Sequence, residues 1–181
     1  AARALFQRGI FNRHPLLSLA VILAVAMVTS LVTALLVERV AYRPLRRAPR
    51  LVSLISAIGA SFFIEYAVRG LYGSGYQAYP EFEIFKGEWT VLGVGILRTQ
   101  AVVIAASVLL MAALYAFVMR TKTGTAMRSV SEDIEVAALM GINVDRIIVI
   151  TFAIGGAAAG AAGVLYALVF KQVHFFMGFY P

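Results

Sequence analysis

Cysteine is absent from the 181 residues, which removes disulfides, thiolate metal sites, cysteine nucleophiles and iron–sulfur clusters together. Histidine occurs only at His14 and His174, too few for a metal cluster, and nothing else with ligand spacing accompanies either. No Gly-x-x-x-x-Gly-Lys-Ser/Thr phosphate loop is present, because the Lys122-Thr123 pair follows Thr121 rather than glycine. Hydrolysis of ATP by this chain is excluded. No serine carries the glycine flanks of a nucleophile elbow, and no two carboxylates face each other within an apolar run, so an intramembrane enzyme is unsupported. Charge is scarce as well, at 14% of residues against about 25% in ordinary soluble domains.

What fills the chain instead is apolar. Hydrophobic residues make up 61% of it and the mean hydropathy is +0.87, more than one buried core of this size absorbs, so most of the surface lies in lipid. A soluble enzyme and a disordered segment are both excluded. Crossing a ~30 Å hydrocarbon core takes about 20 helical residues. Uncharged runs of that order occupy Pro15 to Val37, Thr99 to Met119 and Ile147 to Phe170, and a fourth, Leu51 to Val68, is interrupted once by Glu65. The runs are apolar on every side, whereas barrel strands alternate, so the fold class is all-α. Four transmembrane helices over about 15–37, 51–70, 99–119 and 147–170 form one partial transmembrane domain spanning 1–181, with connectors at 71–98 and 120–146. Both ends, Ala1 and Pro181, read as cut, and no signal peptide is visible.

The net charge of +7 does not point to nucleic acid, because its placement follows membrane topology. Arg39, Arg43, Arg46, Arg47 and Arg50 face only Glu38 in the connector after the first span, which is therefore assigned to the cytoplasm. The 71–98 connector carries Glu81, Glu83 and Glu88 with an aromatic belt of Tyr72, Tyr76, Tyr79 and Trp89, and is assigned outside. Within it, Trp89 to Leu97 reads as two short strands around Gly93 and Gly95. The 120–146 connector returns to the cytoplasm. Arg3, Arg8 and Arg13, before the first span, oppose this orientation and are outweighed by the five-arginine loop.

Small residues mark packing faces. In span four Gly156 and Gly160 form a small-xxx-small stripe, continued on an adjacent row by Gly155, Ala159 and Gly163. Glu65 is the one ionisable residue inside a span, where burial costs about 2.5 to 3.5 kcal/mol. Two readings stay open for it: a pair with Arg69 four residues on, or a lining of a polar path.

The second cytoplasmic connector contains Ser129-Val-Ser-Glu-Asp-Ile-Glu-Val-Ala-Ala-Leu-Met-Gly-Ile-Asn143. It reads as one short helix outside the bilayer, with Ser129 and Glu132 as a capping box, Glu132, Asp133 and Glu135 at the positive end, and Gly141 as the stop. Ile134 with Ala138, or Val136 with Met140, share faces. So short a helix needs something to pack on, either its own bundle or a partner.

The run Glu135-Val-Ala137-Ala138-Leu-Met-Gly141-Ile-Asn143 resembles the Glu-Ala-Ala-x-x-x-Gly loop of permease subunits in ABC importers, with Val136 where that pattern has alanine. Together with Glu38-Arg-Val-Ala-Tyr-Arg-Pro-Leu45, Leu54-Ile-Ser-Ala-Ile-Gly59 and Ala137 to Arg146, it resembles the permeases of high-affinity branched-chain amino-acid importers from about Leu16 onward. The resemblance implies a multi-pass subunit of the bacterial inner membrane that moves branched-chain or related amino acids by alternating access. The residues themselves give no expectation of a cofactor or a metal. The implied partners are cytoplasmic ATPase subunits, a second permease subunit, a soluble periplasmic binding protein and membrane lipid, with no nucleic acid. Glu132, Asp133, Glu135, Ala137, Ala138, Gly141 and Asn143 are the implied ATPase interface. Relatives of this kind also move amides or urea. A non-transporting membrane scaffold is the competing reading and a channel the third, although no filter-like motif or ring of charges supports a channel.

Overall fold

The computed structural model describes residues 15–45, 49–73, 75, 77–78, 88–91 and 94–173. Among them four helices are long and apolar enough to cross a membrane. Helix α1, Pro15–Val37, has no breaker in its length. It widens into a π-helical turn at Glu38–Tyr42, where the Arg43 N–H reaches back to Glu38 O, and tightens into a 3-10 turn at Arg43–Leu45. Pro44 has no N–H to carry the α-helical ladder through this point. Helix α2, Arg50–Tyr72, begins after Pro49 and ends at Gly73, whose φ of 83° is left-handed and whose N–H bonds to Arg69 O at 2.8 Å. Strand β1 is Gln77–Ala78. Strands β2, Glu88–Val91, and β3, Val94–Leu97, pair antiparallel with Glu88 opposite Leu97 and Val91 opposite Val94. Helix α3 is Arg98–Arg120, α4 Lys122–Glu132, α5 Ile134–Leu139 and α6 Val144–Phe170. Strand β4, Gln172–Val173, pairs antiparallel with β1.

Sequence and structure part company in the 120–146 connector. The single helix expected from Ser129 is two helices broken at Asp133, whose backbone is extended at φ −151°, ψ 116°. Ser129 is no cap. It lies inside α4, and its hydroxyl donates to Thr125 O at 3.1 Å. Glu132 ends α4 instead of opening the next helix, so the capping box is overturned. The reason is competition between caps: Thr121 already starts a helix eight residues upstream, accepting the Gly124 N–H at 3.0 Å. Helix α6 also starts earlier than Ile147. Asn143 Oδ1 accepts the Arg146 N–H at 3.0 Å, so the charged Asp145 and Arg146 form the first turn of the same helix rather than part of a loop.

Helix α6 is the centre of the assembly. Ile147, Gly156, Ala161, Val164, Ala167 and Leu168 are all buried on it. It runs antiparallel to α1: Gly156 lies against Ser30, Leu31 and Ala34, Gly160 against Ala26 and Met27, and Val164 and Leu168 close a core with Ile22. Val103 of α3 joins that core beside Leu165. A Cβ on Gly160 would stand 2.6 Å from Ala26 O, and one on Gly156 2.6 Å from Ala34 Cβ. Backbones approach this closely only where side chains are missing, and in lipid such contact supplies the association that the hydrophobic effect supplies in water. The stripe does not extend to Gly163 or Gly155, around which a Cβ would meet nothing within 4 Å. Both are turned off the row 156, 160, 164, 168 that faces α1.

Outside this seam many large apolar side chains point away from the protein. Phe63 is 75% exposed and Leu109 73%, and leaving each such side chain in water forgoes about 1.5 to 3 kcal/mol. A hydrocarbon environment removes that cost. The chain is a multi-pass membrane protein. Its connectors sort to two ends. Tyr42, after α1, stacks at a tilt on Phe152 in the third turn of α6, 5.1 Å between centroids, so the 38–45 segment shares an end with α4 and α5. At the opposite end the β1–β4 pair ties the segment after α2 to the segment after α6.

Candidate functional site

Helix α5 stands on the end of the bundle and is joined to it by two fixed joints. At the first, α3 turns into α4. Thr121 Oγ1 donates to Phe117 O at 2.6 Å while accepting from Gly124 N, and a Cβ on the buried Gly124 would overlap Val118 O and lie 2.6 Å from Phe117 O. Only glycine allows α4 to fold back this tightly. Met127 and Val130 of α4 then line a cavity of about 500 Å³ against Ile147, Ile148 and Phe152 of α6. At the second joint, α5 passes into α6 through Gly141 and Asn143.

Helix α5 is short and fully capped. Asp133 Oδ1 accepts from Glu135 N at 2.8 Å and Val136 N at 3.1 Å. At its far end Gly141 N–H donates to Ala138 O and Ile142 N–H to Ala137 O, with Gly141 at φ 84°. That is the Schellman arrangement, and it requires the left-handed residue that glycine supplies. Six residues would not hold a helix on propensity alone, so the caps at both ends keep this one formed.

One residue anchors it. Ala137 is 3% exposed, while Leu139 is 86% exposed, Met140 79%, and Ile134 and Val136 more than half. Glu132, Asp133 and Glu135 are exposed beside them. The result is an apolar knob edged by carboxylates, standing at the end of the bundle on two joints. The seven residues expected at the partner interface therefore divide. Glu132, Glu135 and Ala138 lie on the outer surface. Asp133 and Gly141 are exposed too, and they cap the helix; Asn143 caps α6, and Ala137 faces inward. Of the apolar surface itself, Ile134, Val136 and Met140 were read from sequence within paired faces and Leu139 was not; the signal for exposure was that apolar residues occupy every side of so short a helix.

Glu65 is far from this element in sequence and differs in kind. It is 9% exposed, and its Oε2 accepts no hydrogen bond, from Arg69 or from any other described residue. On α2 the half-buried residues Ser53, Ala57, Ala60, Ile64 and Ala67 follow a three-and-four spacing, and Glu65 borders that stripe.

Groups of three or more residues able to hold a metal are absent among the described residues. The sequence model of the family described as branched-chain amino acid transport system / permease component matches residues 1–180. The chain belongs to this family. Among curated relatives of this permease chain is the high-affinity branched-chain amino acid transport system permease protein LivH of Escherichia coli (strain K12). It is 41% identical over 148 residues, covering 79% of the chain and 47% of the relative. LivH of Salmonella typhimurium matches at the same identity and coverage. The corresponding permease BraD of Pseudomonas aeruginosa is 39% identical over 168 residues, 91% of the chain and 54% of the relative. The chain thus spans about half the length of the curated relatives it matches. No solved structure matches it.

Proposed function

We propose that this chain is part of the permease subunit of an ATP-driven importer of branched-chain amino acids in the bacterial inner membrane, and that α5 is the element through which a separate ATPase drives it. The observation that carries the reading is the α5 knob: a helix capped at both ends, held by Ala137, that turns Leu139 and Met140 outward beside Glu132 and Glu135. Apolar anchors ringed by polar groups are what a protein groove recognises. An ATPase gripping this helix moves α4 through Asp133 and α6 through Asn143, and α6 carries the motion to α1 along the Gly156–Gly160 seam. ATP binding on the inner side then opens the bundle outward to a periplasmic binding protein, and hydrolysis resets it.

The test is reconstitution of the complete permease with its ATPase and binding protein in proteoliposomes. Expected is ATP-dependent accumulation of leucine that Leu139→Asp abolishes together with ATPase co-purification. Glu135→Lys keeps membrane insertion but separates hydrolysis from uptake. ATP-driven uptake at the wild-type rate in both variants overturns the docking role.

A further inference from the structure

Between α3 and α6 runs an open groove of about 750 Å³, walled by Leu110, Met111 and Leu114 on one side and by Leu165, Val169 and Phe170 on the other. It follows α3 from Val103 to Val118, about 22 Å at 1.5 Å per residue. That exceeds the depth of one leaflet, about half of the ~30 Å hydrocarbon core. At the end away from α4 the rings of Tyr166 and Phe170, stacked at 4.2 Å between centroids, form part of its wall. At the other end Val118 lines both this groove and the cavity beneath α4, so the two spaces adjoin there. The lining differs from the seam between α6 and α1. There Gly156 and Gly160 bring two backbones together, whereas along the groove only Ser107 and Ala162 are small. Helices in a bilayer associate through rows of small residues or through polar contacts. A wall of bulky aliphatic and aromatic side chains offers neither, and its relief suits a flexible chain of methylenes better than a rigid second helix.

The α4 end adds charge. Arg128 lines the adjoining cavity and is exposed, and no ion pair joins it to Glu132 one turn on or to any other carboxylate among the described residues. Arg120 and Lys122, both exposed, stand at the joint between α3 and α4. Helix α4 is itself amphipathic, with Met127 and Val130 on the cavity wall and Lys122, Thr125 and Arg128 exposed. A helix of this kind, placed where a spanning helix leaves the hydrocarbon, lies in the plane of the lipid headgroups. Basic pockets between the ends of membrane helices bind anionic headgroups. Hydrocarbon ending at a cation therefore complements one kind of molecule, an acyl chain carried by a negatively charged head.

We propose that the α3–α6 groove holds an acyl chain of an anionic glycerophospholipid whose phosphate sits at Arg128. The site lies apart from the exposed face of α5 and does not depend on the importer reading; it requires only that the helices span a membrane. The test uses the complete permease subunit in phosphatidylcholine vesicles. Each preparation carries a small, equal fraction of either phosphatidylglycerol or phosphatidylcholine with a diazirine on its acyl chain. After illumination, adducts are mapped by peptide mass and expressed relative to total labelling of the subunit. Expected are adducts on 107–118 and 162–170 from the phosphatidylglycerol probe in about fivefold excess over the neutral probe, the worth of one cation at an anionic lipid surface. Arg128→Gln should bring the anionic probe down to the neutral level at these segments, and Arg128→Lys should keep most of the excess. Equal labelling by the two probes in the wild-type subunit means bulk lipid only and overturns the site. Absence of adducts on both segments means that protein covers the groove in the complete subunit, and overturns it as well. An excess that survives Arg128→Gln overturns the assignment of the phosphate to that residue.

Discussion

At the scale of single residues, three glycines of α6 that look equivalent in sequence have different physical roles. Gly156 and Gly160 are contact points with α1, and Gly163 is not. Gly160→Ala places a methyl 2.6 Å from Ala26 O, a backbone atom that cannot rotate aside, so α1 and α6 must separate. A loss of about 1 to 3 kcal/mol is expected, as for other overpacked sites. Gly163→Ala meets open space and gains helix propensity of about 0.5 to 1 kcal/mol. Thermal unfolding of the detergent-purified protein should therefore lower the midpoint for the first and hold or raise it for the second; equal effects would refute the assigned seam. The small-xxx-small spacing identified the two contact glycines but could not reject the third, because a helical row is legible in sequence whereas the neighbour it meets is not. Glu65 shows the complementary case. Its isolation within an apolar run was plain, yet the unbonded Oε2 depends on how α2 packs. Glu65→Gln keeps size and polarity while removing the charge. Slower leucine uptake in the assembled transporter, with ATPase binding intact, is the expected result if the carboxylate serves the transport path, and an unchanged rate would assign it a packing role.

At the scale of elements, the helix read between Ser129 and Asn143 forms, but in two pieces joined at Asp133. Local signals near Ser129 matched a capping box, but they competed with Thr121 and Asp133, and the winners were decided by α4 packing on α3 and α6. Gly141 was legible because a left-handed stop has few alternatives to glycine, and Asp133 was read only as one of three acids at a positive helix end. Its structural role is sharper: two backbone N–H groups depend on its Oδ1. Asp133→Ala is expected to cost about 0.5 to 2 kcal/mol at the α5 terminus, raising the concentration of ATPase needed to saturate stimulated hydrolysis, while Asp133→Asn preserves the cap and stays near wild type. If alanine and asparagine behave alike, the cap does not govern α5. The elbow at Gly124 makes a stronger claim for the preceding joint. Gly124→Ala drives a methyl into the Val118 carbonyl, so α4 must leave its place on α6, and the variant should hydrolyse ATP without accumulating leucine.

At the scale of the whole molecule, four spans and their alternation were legible because hydrocarbon imposes a length and a composition that no soluble fold shares. How the spans meet was not, since helices that are apolar on every side give no amphipathic face to read. The structure adds that the two connectors richest in arginine and lysine lie at one end. Arg39 lies in the π-helical turn whose Tyr42 reaches α6 and Arg43 follows it, while Arg120, Lys122, Arg128 and Arg146 lie before, within and after the α4–α5 segment. Lys and Arg are held on the cytoplasmic side of short loops, so the expected orientation puts both connectors, and with them α5, inside the cell and the β1–β4 pairing outside. The arginines at 3, 8 and 13 lie outside the described residues and argue the other way by sequence. Single thiols settle the matter, because the chain has none of its own. Leu139→Cys on the exposed α5 surface and Gly75→Cys beyond α2 are each treated with a membrane-impermeant maleimide in spheroplasts. Labelling at 75 in intact spheroplasts, and at 139 only after permeabilisation, is the expected pattern. The reverse pattern would put α5 on the side that has no ATP, and a cytoplasmic ATPase could not then drive it.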